Sequence, residues 1–340
     1  MLTLEEINPH LNTIIKEIGA DNTPDPQGVE ESYKYTRKEL LKYLGTYFPR
    51  TYIESLILWE NLFHNSEEIK QELVKLFTSD CGIKCLSIGC GCGADIFGLI
   101  DSILWIKGEL EKQFLIPQNC KITIIVTAID SNIEALNLLN EIKNKYYLSL
   151  NINNIIIETI QKDICTPTER VNQNDYDFIS CFKILNELIK KNGFPRNNAI
   201  NLYSELIRKL CPKLKQTGLL ALADVTCKIV DDYLSIIMVN AVRQYLNNQN
   251  EYKIILPMCI AKLNNKCGSF YDCFIQQEVM INNANSKCAY FVFAQSDYAL
   301  KINKWTNYFE FDETNCPATK LPNENKAFKF AYNLDMFLNQ

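Results

Sequence analysis

Helical periodicity opens the chain and gives way near residue 81 to strand–helix alternation. Apolar side chains three and four positions apart mark one face of a helix. Such a pattern runs through residues 1–22 and, after a loop with Pro24, Pro26 and Gly28, through Glu30–Tyr47 with Leu40, Leu41 and Leu44. It returns after Phe48-Pro49 with Ile53, Leu56, Ile57 and Phe63, and again over 66–77 with Ile69, Leu73, Leu76 and Phe77. Pro49 suits a first helical turn, where its missing N–H leaves no bond unmade. Residues 1–80 therefore read as a helical cap set before a sheet.

From Lys84 onward short apolar runs alternate with helical stretches, the pattern of a parallel sheet. Strands are expected at 84–88, 122–129, 154–160, 176–182 and 219–224, with helices at 94–112, 132–144, 197–211 and 229–247 between and after them. The run Ile-Thr-Ile-Ile-Val-Thr-Ala-Ile at 122–129 is apolar enough for a central strand. Two later strands, 270–280 and 288–295, lie close enough to form an antiparallel hairpin.

Composition narrows the classes. With 340 residues, 47% hydrophobic and 22% charged, the chain has the make-up of one large globular domain or two ordinary ones. No apolar run approaches the ~20 residues of a membrane span. The first eight residues carry two Glu and no basic residue, so neither a signal nor a transit peptide is evident and the cytoplasm is the expected compartment. A net charge of −5 gives no global basic footprint for naked nucleic acid. Without an export signal the 14 cysteines are expected to be reduced small hydrophobes. The only histidines, His10 and His64, both fall in the N-terminal region, which argues against a His-based triad or a His-rich zinc site.

The stretch Lys84-Cys85-Leu86-Ser87-Ile88-Gly89-Cys90-Gly91-Cys92-Gly93-Ala94-Asp95 organises the remaining chemistry. An apolar strand ends in three glycines at alternate positions, and a helix follows. Glycines there admit backbone angles closed to other residues and let a ligand approach the main chain, while the helix start presents unpaired N–H groups. Asp130 ends the second strand, where a nucleotide-binding sheet places a carboxylate for two ribose hydroxyls. Its distance from the glycines exceeds the usual ~20 residues, which a long first helix and a loop at 113–120 accommodate. A second reading makes Asp130 the N-cap of the helix from Asn132 to Asn144. Tyr33, Tyr35, Lys34, Arg37, Lys38 and Lys42, with Arg50 beyond, interleave basic and aromatic groups; they read either as a nucleic-acid surface or as a solvated helix face.

The run Leu86-Ser87-Ile88-Gly89-Cys90-Gly91-Cys92-Gly93 resembles motif I of the class I S-adenosylmethionine (SAM)-dependent methyltransferases, apolar-acidic-x-Gly-x-Gly-x-Gly, with Ser87 where that family has Asp or Glu. Lys162-Asp163-Ile164 resembles the family's acidic–apolar pair at the adenine edge, although Asp163 also reads as a plain loop acid. The strand Tyr176–Phe182 with Lys183–Leu188 matches motif IV by position, without the Asn-Pro-Pro-Tyr form. The resemblance covers residues 81–297. It implies an α/β, Rossmann-like seven-stranded methyltransferase sheet with a terminal antiparallel hairpin, an N-terminal helical cap over 1–80, and a C-terminal extension over 298–340. An NAD fold would predict a shorter glycine-to-acid spacing and leaves the hairpin unexplained.

The same resemblance implies a site. Ser87, Gly89, Cys90, Gly91 and Gly93 would hold the methionine part of SAM, Asp130 and Ser131 the ribose, and Asp163 and Ile164 the adenine, with Phe182 beside the methyl group. The acceptor would enter between the N-terminal helices and the loop after the fourth strand, against Lys183, Asn186 and Glu187, with Tyr33, Tyr35 and Arg37 closing over it. Asn186 and Glu187 are the catalytic candidates; Glu187 reads as a proton acceptor or as a helix-surface carboxylate. In-line methyl transfer needs alignment and dryness more than an acid–base pair.

A more distant resemblance concerns partners. Tyr47-Phe48-Pro49-Arg50-Thr51-Tyr52 and Leu185-Asn186-Glu187-Leu188 look like methyltransferase-like proteins associated with small ribosomal subunit assembly. That family has a cysteine cluster where this chain has Cys259, Cys267 and Cys273, with Cys288 beyond. Four thiolates can hold zinc or an iron–sulfur cluster, but no tight C-x-x-C pair is present, and reduced core cysteines with no metal are the expectation. Cys81, Cys85, Cys90 and Cys92 also crowd together, yet a metal there would compete with the cofactor. Three functions follow: a methyltransferase acting on a small molecule, one acting on RNA or protein, and a SAM-binding assembly factor without catalysis.

Overall fold

The computed structural model describes residues 3–20, 34–150, 154–163, 175–192, 196–226, 228–229, 232–256, 274–281, 284–302 and 327–329. The N-terminal helices are α1 (Leu4–Ile7), α2 (Pro9–Ile18), α3 (Arg37–Thr46), α4 (Phe48–Asn65) and α5 (Glu67–Thr78). The single helix expected over 1–22 is broken at Asn8, whose side chain accepts from Leu11 N–H at 2.9 Å and starts α2, with Pro9 at its first position. α3 begins later than expected because Thr36 and Glu39 form a capping box.

The sheet elements then follow. They are β1 (Ile83–Ile88), α6 (Ala94–Lys112), β2 (Ile124–Asp130), α7 (Ile133–Ser149), β3 (Ile155–Gln161), β4 (Tyr176–Phe182), α8 (Ile184–Asn192), α9 (Arg196–Leu210) and β5 (Leu214–Val225). A two-stranded ladder of β6 (Lys228–Ile229) and β7 (Asp232–Tyr233) leads into α10 (Leu234–Leu246). The chain continues with β8 (Tyr252–Leu256), β9 (Phe274–Ile281), β10 (Ala284–Gln295), α11 (Ser296–Ile302) and β11 (Ala327–Lys329).

The strand order is β11-β9-β10-β5-β4-β1-β2-β3, with β8 also pairing β10. β3, β2, β1, β4 and β5 run parallel, and β10 is antiparallel to both β5 and β9. The expected hairpin is therefore present, and β11 adds a strand outside it, parallel to β9. β8 was not expected. It lies against Val292–Gln295 of β10, beyond the stretch Ala284–Tyr290 that β9 occupies. β5 starts earlier than residue 219 because polar Lys215, Gln216 and Thr217 join the strand across a register shift opposite Tyr176 and Phe178.

Side chains alternate between the two faces of the sheet, as the strand period requires. Phe178, Phe182, Ala221, Ala223, Tyr290 and Val292 share one core with the helices from α1 to α7. Ile179, Cys181, Leu220, Leu222, Phe291 and Phe293 share the other with α8, α9 and α10. The cap expected at 1–80 is thus part of the first core. α4 is buried along almost its whole length, and Trp59 and Phe63 place their rings 5.4 and 5.5 Å from that of Phe178. Gly98 of α6 permits this close packing, since a Cβ there would stand 2.7 Å from Ser55 Cβ and from the Tyr52 carbonyl oxygen. No described helix is long and apolar enough to cross a membrane.

Candidate functional site

The strand order reverses between β1 and β4, and in an open α/β sheet the crevice at the carboxyl ends of such strands receives ligands. Here a cavity of about 110 Å³ opens at that point. Its floor is the turn after β1. Gly89, Gly91 and Gly93 all adopt left-handed φ angles, 63°, 52° and 83°. Cys90 N–H donates to the Ile129 carbonyl at 3.1 Å and Gly93 N–H to the Cys90 carbonyl at 2.8 Å, which closes the turn at the start of α6. A Cβ on Gly91 would meet nothing within 4 Å. The missing side chain leaves the main chain open to the cavity, so the turn fits a ligand that lies against backbone.

Asp130 closes the second side. One carboxylate oxygen accepts Gly91 N–H and the other Asn132 N–H, both at 2.8 Å. The N-cap reading of Asp130 is overturned: Asn132 caps α7, its Oδ1 accepting Glu134 N–H at 2.9 Å. Burial raises the Asp130 pKa, and the backbone N–H groups around it oppose that rise. Asp130 therefore braces the glycine turn while lining the cavity beside Ser131. At the end of β3, Lys162 and Asp163 reach the same cavity. Ile164 lies outside the described residues.

Ser87, Cys90 and Gly93 do not line the cavity. Ser87 is buried beneath it and donates to Asp95 Oδ2 at 2.7 Å; Ser180, its register partner on β4, donates to the same oxygen. Burial raises the Asp95 pKa, and the two serine hydroxyls oppose the shift. A carboxylate is thus present under the turn, contributed by α6 in place of β1. Cys92, not among the expected residues, lines the cavity, and burial pushes its thiol up to about 12, so it stays protonated.

The third wall is the end of β4 and the start of α8. Phe182, Lys183, Ile184, Glu187 and Leu188 line it. Residues 184, 187 and 188 share one helical face, and Asn186 lies on the opposite side of the turn. The structure accordingly leaves Asn186 out of the cavity wall, against its expected place in the site. Its N–H and that of Leu185 donate to Asp224 Oδ2, at 3.3 and 2.8 Å. Asp224, wholly buried at the end of β5, anchors the start of α8, and burial lifts its pKa to about 7. Lys183 is one of three non-glycine residues at positive φ among the described residues, at 61°. Its ammonium is held by Glu54 Oε2 and Thr51 Oγ1 of α4, each at 2.8 Å.

α3 roofs the cavity through Leu40 and Tyr43. The expected closing residues sit elsewhere. Arg37, at the first position of α3, pairs with Glu141 of α7 at 2.6 Å, and Tyr35 offers its carbonyl to Asn132 Nδ2 at 3.0 Å. Neither lines the cavity, and Tyr33 lies outside the described residues. The helical spacing of Leu40 and Tyr43 was the signal that could have found the roof. Cys259, Cys267 and Cys273 also lie outside the described residues, and Cys288 is buried on β10. Among the described residues no group of three or more His, Cys, Asp or Glu side chains is placed to hold a metal ion.

No protein-family model matches the chain, and no curated protein matches it in sequence. Among solved structures it is similar to PH0851, at 13% identity and a TM-score of 0.39, over 66% of this chain and 45% of that one, less than half its length. It is similar to a SAM-dependent methyltransferase from Aquifex aeolicus, at 15% identity and a TM-score of 0.31, over 68% of this chain and 92% of that one. A third similarity is to the plantazolicin methyltransferase BpumL in complex with S-adenosylhomocysteine (SAH), at 16% identity and a TM-score of 0.32, over 84% and 98% of the two chains. The resemblance to ribosomal small-subunit assembly proteins finds no support in these comparisons. The strand order of the chain itself, β3-β2-β1-β4-β5-β10-β9 with β10 antiparallel, is a mixed α/β sheet of the expected kind, parallel through β5 and closed by an antiparallel hairpin.

Proposed function

We propose that the protein is a SAM-dependent methyltransferase whose acceptor is a small molecule. The observation that carries the reading is the cavity at the carboxyl ends of β1, β2, β3 and β4, where the open main chain at Gly91 meets Asp130 and Asp163. Bound SAM supplies an electrophilic methyl group on a sulfonium. The residues of this chain do the rest. Gly89 and Gly91 leave room for the methionine portion, the Asp130 carboxylate accepts ribose hydroxyls, and Asp163 takes the adenine edge. Phe182 walls the reacting centre, and Leu40 and Tyr43 cover it from α3, which keeps water from the displacement. The roof of α3 and the apolar walls support enclosure of a small acceptor. A second reading, docking of RNA or protein, draws on Lys38 and Lys42, which are exposed on α3 beside Leu40 and Tyr43.

Calorimetric titration with SAM, SAH and, as control, NAD tests the proposal. Micromolar binding of both adenosyl ligands and none of NAD is expected. Asp130→Ala removes the ribose acceptor and the brace on Gly91 together, so SAH affinity is expected to fall about tenfold or more. Unchanged affinity in that variant sinks the reading.

A further inference from the structure

The basic residues beside the roof and the β4 wall differ in whether they are engaged. Lys183 has its ammonium held by Glu54 Oε2 and Thr51 Oγ1 of α4, each at 2.8 Å, and Ser286 of β10 donates to the other oxygen of Glu54. Arg37, at the start of the roof helix, pairs with Glu141. Arg50 is different. It stands half-buried in the first turn of α4, and its guanidinium enters no ion pair or hydrogen bond among the described residues; its Nε is buried without a partner. A buried donor left unmade is costly, and in a folded protein it calls for a reason. Two contacts fix where Arg50 lies. Its guanidinium carbon sits over the Tyr47 ring, 5.3 Å from the centroid, and that ring is 5.2 Å from the ring of Tyr43, which roofs the cavity. Its chain neighbour Thr51 is the residue that holds Lys183 in the cavity wall. Arg50 itself does not line the cavity, so it stands just beyond the roof on the side of the β4 wall.

We infer that Arg50 binds a carboxylate of the acceptor, which is then an acid on an apolar, ring-bearing skeleton. This rests on the methyltransferase reading. Stacking on Tyr47 engages the face of the guanidinium and leaves its N–H edge to a ligand. That edge matches the two oxygens of a carboxylate. Inside the cavity Leu40, Tyr43 and Phe182 offer an aliphatic side chain and two rings to the apolar part of such a molecule. With the carboxylate held at Arg50, the acceptor enters by its uncharged end and presents that end to the methyl group. The carboxylate of SAM itself is the poorer match, because its methionine portion is assigned to the glycine turn after β1, whereas Arg50 stands beyond the roof.

The test uses the full chain saturated with SAH and three probes of similar size: 3-phenylpropionate, 2-phenylethanol and 2-phenylethylamine. SAH binding is measured first, and its absence overturns the methyltransferase reading and this inference with it. With SAH bound, the acid is expected to bind about tenfold or more tightly than the alcohol or the amine. Arg50→Gln is expected to remove that preference while SAH affinity and the circular dichroism spectrum stay unchanged. Should Arg50→Gln fail to fold, Arg50→Lys, which keeps the charge without the fork, is read in its place: a preference reduced several-fold supports the inference, and an unreduced one overturns it. Equal binding of the three probes, preference for the amine or the alcohol, no binding of the acid, or a preference unchanged in Arg50→Gln overturns the inference while SAH binding stands. A tenfold loss of SAH affinity in a folded Arg50→Gln overturns it too, by assigning Arg50 to the cofactor's carboxylate.

Discussion

Ser87 and Ser180, paired across β1 and β4, both donate to one oxygen of Asp95, so the acid expected on the strand has its counterpart on the following helix. The consequence for mutation is specific. Ser87→Asp places a second carboxylate against a buried one, and like charges that close cannot both ionise without cost. We expect destabilisation of about 2–4 kcal/mol, read as a lower urea midpoint at constant slope; a gain in SAH affinity without loss of stability would contradict the arrangement. At this scale the sequence was partly legible. Gly91, Asp130, Asp163 and Glu187 follow from their positions at strand ends and helix starts, and all line one cavity. Asp95 stood in the quoted run, yet its partnership with Ser87 and Ser180 needs two strands and a helix brought together, and no spacing rule carries that. The roof was misplaced for a local reason: the capping box at Thr36 and Glu39 shifts the start of α3 and turns Leu40 and Tyr43 inward.

Among the elements, α4 carries the most structural demand. Its Trp59 and Phe63 pack on Phe178 of β4, Ser55 donates to the Asp95 carbonyl at 2.8 Å, and Glu54 holds Lys183. Through Glu54 and Thr51 the helix fixes Lys183 in the cavity wall. Gly98→Ala tests the packing, since the added methyl would stand 2.7 Å from the Tyr52 carbonyl oxygen. The expected cost is about 1–3 kcal/mol by chemical denaturation, and a neutral result would mean that α4 and α6 can separate freely. The bounds of α6 were legible because a glycine turn precedes it, and those of β4 because a mostly apolar run lies between polar Asp175 and Lys183. α8, β8 and α11 were not. Each is short, and its apolar residues acquire meaning only from a neighbour: the Asp224 carboxylate for α8, and the free end of β10 for β8.

For the whole molecule, several buried acids titrate in one direction. Burial lifts Glu60 to about 8, Asp101 to about 6 and Asp224 to about 7. His64, between Glu60 and Glu109 at 3.0 and 2.6 Å, is also raised: burial opposes its charge, but the carboxylates prevail. Each folded pKa lies above its unfolded value, so the native state binds the extra protons and loses stability as pH rises through that window. Tm is therefore expected to fall between pH 5 and about 8, and Glu60→Gln is expected to flatten that fall; a Tm that climbs steadily to pH 8 would show these groups ionised at no cost. The parallel sheet and its hairpin were legible from strand–helix alternation, whereas the titration was not, because it depends on which carboxylates are enclosed. One feature of the topology bears on synthesis. β5, near the middle of the sheet, receives its partner β10 only from residues 284–295. While the nascent chain grows from Val225 to Gln295, β5 is an uncovered edge of apolar strand, the kind of surface that recruits other chains. Translation of that interval is when the protein is most exposed to aggregation and most in need of a chaperone.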